Sequence, residues 1–308
     1  MTEKAFQTPI KMLVIDIDGT LLNPEGEISP STLAAVQAAQ RAGMIVTLAT
    51  ARRYSNTRDI ATQLGLDIAL ILYDGALIVQ HPQGITLHKE TLNADIAQDA
   101  VDILVRHGIQ PVVQPDSGLY EKIWTGPAEF DNLWVEAYFL TFPDMMHRRP
   151  HAQLCRGQAD PLRVVAFASE EAIQGLIPEI AALDCSWTSI KRGNYGSAEL
   201  VVMRAGCSKA SGVAALAKYY SLALSEIMAL GDNNNDIQML QSVGLGIAMG
   251  QAPPAVKAAA RFVTASNLED GAARAIERYA LGDGLTATPG FLGASSADSN
   301  SLNRATCL

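Results

Sequence analysis

The sequence predicts an α/β fold: a Rossmann-like parallel sheet flanked by helices, interrupted by an inserted α+β module. Three observations carry this expectation. Short apolar runs at 11–18, 44–49 and 68–72 alternate with helical segments, which is the rhythm of βαβ units. Between residues 85 and 200 that rhythm gives way to hairpin signals mixed with amphipathic helices. After residue 201 the strand–helix alternation resumes and runs to residue 281. The expected layout is therefore a core of residues 11–84 plus 201–281, a module of residues 85–200, and a disordered tail at 282–308.

Each element has a local reason. Met12, Leu13, Val14, Ile15 and Ile17 form an apolar run that stops at Asp18-Gly19, a buried strand ending in a turn. Ser29 before Pro30 reads as a helix start, the hydroxyl capping and the proline in the first turn. Leu33 and Val36 give that helix an inner face, and Gly43 closes it. Strands are expected at 44–49 and 68–72, the latter as a third parallel strand, with a helix at 56–64 between them.

Segments 76–80 and 85–89 flank Pro82 and Gly84 as a hairpin leading into the module, where 94–107 is an amphipathic helix. A second hairpin is expected at 111–124, around Asp116-Ser117-Gly118, then helices at 129–139 and 170–183 and strands at 164–168, 186–190 and 198–203. The resumed core reads as helices at 209–219, 236–243, 254–260 and 268–281, with strands at 227–230, 244–249 and 261–264.

Composition narrows the function. The 308 residues are 48% hydrophobic and 18% charged, with a formal net charge of −9. That balance argues against nucleic acid or an anionic membrane as partner, since either calls for a basic face. A small phosphorylated substrate needs only a local cationic pocket. Cys155, Cys185, Cys207 and Cys307 contain no Cys-x-x-Cys pair, so neither zinc nor a disulfide framework is expected. The first eleven residues lack an apolar signal core. A cytoplasmic protein, monomeric or a small homo-oligomer, is the resulting expectation.

The candidate chemistry starts at Asp16-Ile17-Asp18-Gly19-Thr20, at the carboxyl end of the first strand. In open α/β sheets ligands bind at that edge. Two carboxylates about 4 Å apart repel by roughly 4 kcal/mol at an effective dielectric near 20. On its own the segment is equally readable as an ordinary Asp-Gly turn. A second strand breaks the tie: residues 227–230 run into Gly231-Asp232-Asn233-Asn234-Asn235-Asp236. Two parallel strands delivering paired carboxylates to one edge, without histidine, suit a hard cation, with Mg²⁺ preferred. Asp236 also reads as a helix N-cap.

Two further features fit phosphate. Thr50 ends the second strand, where a hydroxyl and a backbone amide can hold a phosphoryl oxygen. Lys209 opens a helix against the macrodipole, a violation expected where a site needs positive charge.

In this order the motifs resemble the haloacid dehalogenase superfamily of aspartyl-phosphate enzymes. They are Asp16-x-Asp18-Gly19-Thr20, Thr50, Lys209 and Gly231-Asp232-x-x-Asn235-Asp236. The insertion between Thr50 and Lys209 resembles the superfamily's type-2 cap. Asp232–Leu240, Ala248-Met249-Gly250 and Ser266-Asn267-x-Glu269-Asp270-Gly271 are similar to the Cof-type, subfamily IIB branch. The resemblance implies Asp16 as nucleophile and Asp18 as general acid and base. It implies Mg²⁺ held by Asp16, the carbonyl of Asp18 and Asp232, with Asp236 in support. Thr50, Lys209, Asn235 and amides near Ile17 and Ala51 would cradle phosphate.

The implied activity is hydrolysis of small phosphorylated metabolites, sugar phosphates foremost. A phosphomutase or sucrose-phosphate-type specialist and a non-catalytic sugar-phosphate-binding regulator remain alternatives. Three positions depart from the Cof-type pattern: Ala51 for glycine, Asp74 for asparagine and Gln251 for asparagine. The module's aromatics Tyr120, Trp124, Trp134, Tyr138, Phe139 and Trp187 read as its own core rather than a sugar platform.

Overall fold

The computed structural model describes residues 9–282 apart from Arg192 and Asn194. The tail expected beyond Gly282 lies outside the described residues.

Five strands form the central sheet: β1 (Met12–Ile15), β2 (Ile45–Leu48), β12 (Ile227–Gly231), β13 (Leu245–Ala248) and β14 (Phe262–Val263). The spatial order is β14-β13-β12-β1-β2, and every pairing is parallel. β1 is buried on both faces, as an uninterrupted apolar run requires. Leu13 and Ile15 join one core with Val36 of α1 (Pro30–Arg41) and Ala272 of α9 (Gly271–Ala275). Met12 and Val14 join another with Val213 of α6 (Lys209–Tyr219), Met239 of α7 (Ile237–Ser242) and Val256 of α8 (Pro254–Ala259). The two-residue period of a strand thus sorts its side chains between the two helical layers.

The third expected parallel strand is a correction. β3 (Ala69–Leu72) pairs antiparallel with β4 (Leu77–Gln80), which pairs antiparallel with β5 (Ile85–Lys89). It lies beside β2 and keeps a parallel bridge to it, Ala49 to Ile71, with the Thr47 hydroxyl donating to the Ala69 carbonyl at 2.6 Å. A helix, α2 (Arg58–Gln63), still leads into it. The turn from β3 into β4 reverses the chain within a few residues: Tyr73, Asp74 and Gly75 all have positive φ. β5, the first segment expected in the module, therefore stays with β3 and β4.

The remaining strands build a six-stranded sheet: β6 (Pro111–Pro115), β7 (Ile123–Thr125), β8 (Met146–Arg148), β9 (Pro161–Ala168), β10 (Cys185–Ile190) and β11 (Ala198–Arg204). Its order is β10-β11-β9-β6-β7-β8, antiparallel except for β7 with β8. β8 carries no apolar alternation and was not predicted. Helices α3 (Ala94–Arg106) and α5 (Glu170–Ile180) cover one face, burying Val113, Val164, Ala166, Leu200 and Val202. The other face, with Val165, Phe167 and Val201, turns toward a cleft shared with the central sheet. A shorter helix, α4 (Leu133–Thr141), is capped by Asn132 and brings Tyr138 to that cleft.

Candidate active site

Chain direction brings the ends of β1, β2 and β12 to one edge. Asp16 follows β1, its amide donating to the Leu230 carbonyl at 3.1 Å. The chain then turns sharply at Gly19, φ +80°. A Cβ there would lie 2.3 Å from Oδ2 of Asp232, so glycine is required by conformation and by space. Gly231 is required by space alone, beneath Asp236, where a Cβ would meet the carboxyl carbon at 2.5 Å.

Oxygens of Asp16, Asp232 and Asp236 lie within 4.8 Å of one another. Lys209, 1% exposed, donates from Nζ to Asp16 Oδ1 at 2.6 Å and to Asp236 Oδ1 at 2.7 Å. The N-cap of α6 explains its entry: Ser208 and Ser211 form a capping box that fixes the first turn. Asp236 Oδ2 accepts from the amides of Asp232 and Asn233 at 3.0 and 2.9 Å. Asp236 is thus a lysine partner and a loop brace; the helix N-cap expected of it is not formed.

Three carboxylates face one ammonium, so negative charge is in excess. Burial, then the neighbouring Asp236 and Asp232, push Asp16 well above the usual carboxylate range against the pull of Lys209. Burial and Asp236 push Asp232 up to about 7. Burial disfavours the Lys209 charge, but Asp16 and Asp236 outweigh it and raise its pKa. An all-oxygen donor set with surplus charge, packed where two glycines leave no room for a Cβ, fits a hard divalent cation.

Asp18 lies apart from that cluster. Arg52 grips its carboxylate with two bonds, Nε to Oδ2 at 2.8 Å and Nη2 to Oδ1 at 2.6 Å. Thr50 is buried; its hydroxyl accepts from the Arg52 amide at 3.1 Å, and its carbonyl accepts from the Asp74 amide at 3.0 Å. Asn235 donates to Asp74 Oδ1 at 2.9 Å. Ile17 is buried in the core, leaving only its backbone for ligands. Asp16, Asp18, Thr50, Ala51, Lys209 and Asn235 all line one cleft of about 160 Å³. Asp232 and Asp236 adjoin it through Asp16 and Lys209.

The three departures have physical answers. Ala51 is absent from the residues with positive φ, so alanine fits its backbone. Gln251 Nε2 donates to the Gly19 carbonyl at 2.5 Å and to Asp232 Oδ2 at 3.5 Å, bracing the acidic turn. Asp74 is paired with Arg163 of β9, Nη1 to Oδ2 at 2.8 Å.

Residues 13–276 match the haloacid dehalogenase-like hydrolases. The chain belongs to this family. Curated relatives extend over nearly the same length. A 5-amino-6-(5-phospho-D-ribitylamino)uracil phosphatase of Bacillus subtilis is 26% identical, covering 89% of this chain and 98% of that protein. An HMP-PP phosphatase of Serratia proteamaculans is 30% identical, covering 80% and 86%. A solved HAD subclass IIB sugar phosphatase, BT4131, superposes with a TM-score of 0.72 at 26% identity, covering 87% and 98%. The haloacid dehalogenase fold with its Cof-type cap is therefore the fold of this chain.

Several cleft residues escaped the sequence reading. Arg52 and Arg53 directly follow Thr50, yet adjacency alone gives a basic pair no role. Gln114 and Phe142 carry no local signal, and Tyr138, expected in the module's own core, lines the cleft as well. Arg163 does: it is the one charge inside the buried strand Pro161–Ala168.

Proposed function

We propose that this hydrolase is a phosphatase that cleaves phosphate monoesters of small metabolites through an aspartyl-phosphate on Asp16. The observation that carries the reading is the Asp16 carboxylate, held by Lys209 at the sheet edge inside a three-carboxylate cluster. The relatives' activities on phosphorylated small molecules support the substrate class. Sugar phosphates come first in it, since the superposed structure is a sugar phosphatase. We place the enzyme in the cytoplasm. Among the described residues, no helix is long and apolar enough to cross a membrane.

Lys209 holds Asp16 Oδ1, which leaves Oδ2 to attack phosphorus. The ester P–O bond breaks, and Asp18 protonates the departing oxygen. Water then attacks the phosphorus of the acyl phosphate, and Asp18 takes its proton. This frees phosphate and regenerates the Asp16 carboxylate. For either transfer Arg52 must loosen its two-pronged grip on Asp18. Thr50, Lys209, the amides near Ile17 and Ala51, and the second Nδ2 hydrogen of Asn235 hold phosphoryl oxygens.

Mg²⁺ would be held by Asp16, Asp232 and the Asp18 carbonyl, with Asp236 bracing the loop. When bound it would supply positive charge to the phosphoryl oxygens and offset the excess carboxylates. We assign the six-stranded sheet and its helices, between Glu90 and Arg204, the role of a cap over the site, with substrate choice on its cleft-facing sheet.

The test is phosphate release over a panel of phosphometabolites, with and without Mg²⁺. Wild type should act only with metal. Asp16→Asn should lose at least about 10³-fold in kcat, as loss of a nucleophile does. Metal-dependent turnover retained by Asp16→Asn would exclude Asp16 as nucleophile.

A further inference from the structure

Asp74 is a buried carboxylate that the steps above do not use. It sits in the left-handed turn between β3 and β4, with Tyr73 at φ 51° and Asp74 at φ 56°. Gly75 follows at φ +100°, and a Cβ on it would lie 2.1 Å from the Ser208 carbonyl. The turn is thus wedged against the residue that caps the Lys209 helix. Side chains rarely adopt this backbone, and two such residues in a row, Tyr73 and Asp74, persist only where surrounding contacts demand them.

Those contacts are polar and cross between the sheets. Asp74 Oδ1 accepts from Asn235 at 2.9 Å and Oδ2 from Arg163 Nη1 at 2.8 Å. Arg163 spends two more donors on the protein: Nη2 on the Ala51 carbonyl at 2.7 Å and Nε on Gln114 Oε1 at 2.6 Å. Its guanidinium lies 4.9 Å from the Tyr73 ring centre. Both charges are nearly buried, at 8% and 2% side-chain exposure. Such a pair is costly to bury and costlier to break on one side.

We propose that Asp74 and Arg163 are a positioning pair. It docks the six-stranded sheet on the phosphate end of the site and keeps the charge of Lys209 available to substrate. Resting on the phosphatase reading for its kinetics, it stands on geometry for its binding effects. Arg163 fixes three groups at once: the carbonyl next to Thr50, the Gln114 side chain of β6, and the carboxylate that holds Asn235. Lysine cannot do this, because it offers a point charge rather than a fork. Asp74 is near enough to Lys209 to add to the pull on that ammonium. Arg163 neutralises Asp74. Without it, a bare buried carboxylate competes with phosphate for Lys209.

The experiment uses full-length wild type, Arg163→Gln, Arg163→Lys, Asp74→Asn and the double variant Asp74→Asn/Arg163→Gln. Binding of inorganic phosphate is measured by calorimetry, and kcat and KM with p-nitrophenyl phosphate. Arg163→Gln should weaken phosphate binding about tenfold and lower kcat/KM by more, with Arg163→Lys between it and wild type. The double variant, which removes both charges together, should recover phosphate affinity to within about threefold of wild type, while kcat/KM stays low because the bonds to Ala51 and Gln114 are still missing.

That rescue is the decisive readout, because a packing role predicts a double variant no better than Arg163→Gln. Such a result, or wild-type phosphate affinity in Arg163→Gln, would overturn the proposal. If Arg163→Gln does not fold, Arg163→Lys and the double variant decide. Wild-type affinity in Arg163→Lys, or weak binding in a folded double variant, overturns it. Wild type that binds phosphate but hydrolyses nothing, with the rescue intact, sinks the phosphatase reading and leaves the positioning pair standing.

Discussion

At the scale of single residues, the site is an exercise in disposing of charge. Asp16, Asp232 and Asp236 share one ammonium, and the surplus appears as carboxyl groups raised by burial and by one another. Backbone room is as important as charge. Gly19 is the residue over which Asp232 folds, and its φ of +80° compounds the demand. Gly19→Ala should therefore push Asp232 aside without touching Asp16. The expected outcome is a 10–100-fold rise in the Mg²⁺ concentration needed for half-maximal turnover, the range typical of lost support around a metal. Titration of activity with Mg²⁺ checks it, and an unchanged midpoint would show that Asp232 is not a ligand.

The acidic residues were legible in sequence because each stands at the end of an apolar strand. The role of Arg52 was not, nor were the contacts of Gln251, because both depend on which strand ends meet. Asp74 was noticed as a misplaced negative charge, but its partner sits 89 residues away on another sheet.

At the scale of elements, local rules succeeded where the chain solves its own problem. Ser29 caps α1 as its position before Pro30 implied, accepting from the Thr32 amide at 3.1 Å. The structure adds a tertiary duty: its hydroxyl donates to Asp270 Oδ1 at 2.6 Å. Asp270 has φ +57° and directly precedes α9, which packs on the same core as α1. Ser29→Ala should cost about 1–2 kcal/mol, the upper range for a lost cap, read as a lowered urea midpoint at unchanged slope. A loss of only a few tenths would mean that water replaces both bonds.

Local rules failed at β3. Its apolar run suits a parallel or an antiparallel neighbour equally, and only the left-handed Tyr73-Asp74-Gly75 turn decides. Asp74-Gly75 is a cue for a turn, but nothing in the composition shows that Tyr73 also takes positive φ. The helix expected at 268–281 is likewise split. Asp270 starts α9 late, and Ile276–Leu281 winds as a wider π turn.

At the scale of the molecule, the parallel sheet and its helices supply the carboxylates and lysine at one edge, and the six-stranded sheet supplies the opposite wall of the cleft. The alternation of apolar strands and helices gave away the first. The second was visible as an α+β insertion, but not in its strand order, which depends on long-range pairings such as β9 between β6 and β11. The route by which the chain enters and leaves the insertion makes the division testable. Glu90, just after β5, forms an ion pair with Arg204, the last residue of β11. The two crossing points therefore lie side by side.

A short Gly-Ser linker replacing residues 91–203 can close that gap without stretching the core. The excised protein keeps Asp16, Asp18, Thr50, Lys209 and Asp232. It loses Arg163, Gln114, Tyr138 and the cleft-facing Val165, Phe167 and Val201. Chemistry should survive at reduced kcat, because bulk water screens the charges of the opened site and the Asp74–Arg163 pair is gone. Selectivity should collapse. The spread of kcat/KM across a panel from acetyl phosphate to large phosphometabolites should shrink by about tenfold or more, the discrimination that a few lost apolar contacts represent. Retention of the full-length rank order and spread by a folded, active excision variant would move substrate choice from the six-stranded sheet to the loops around Asp18 and Asn235.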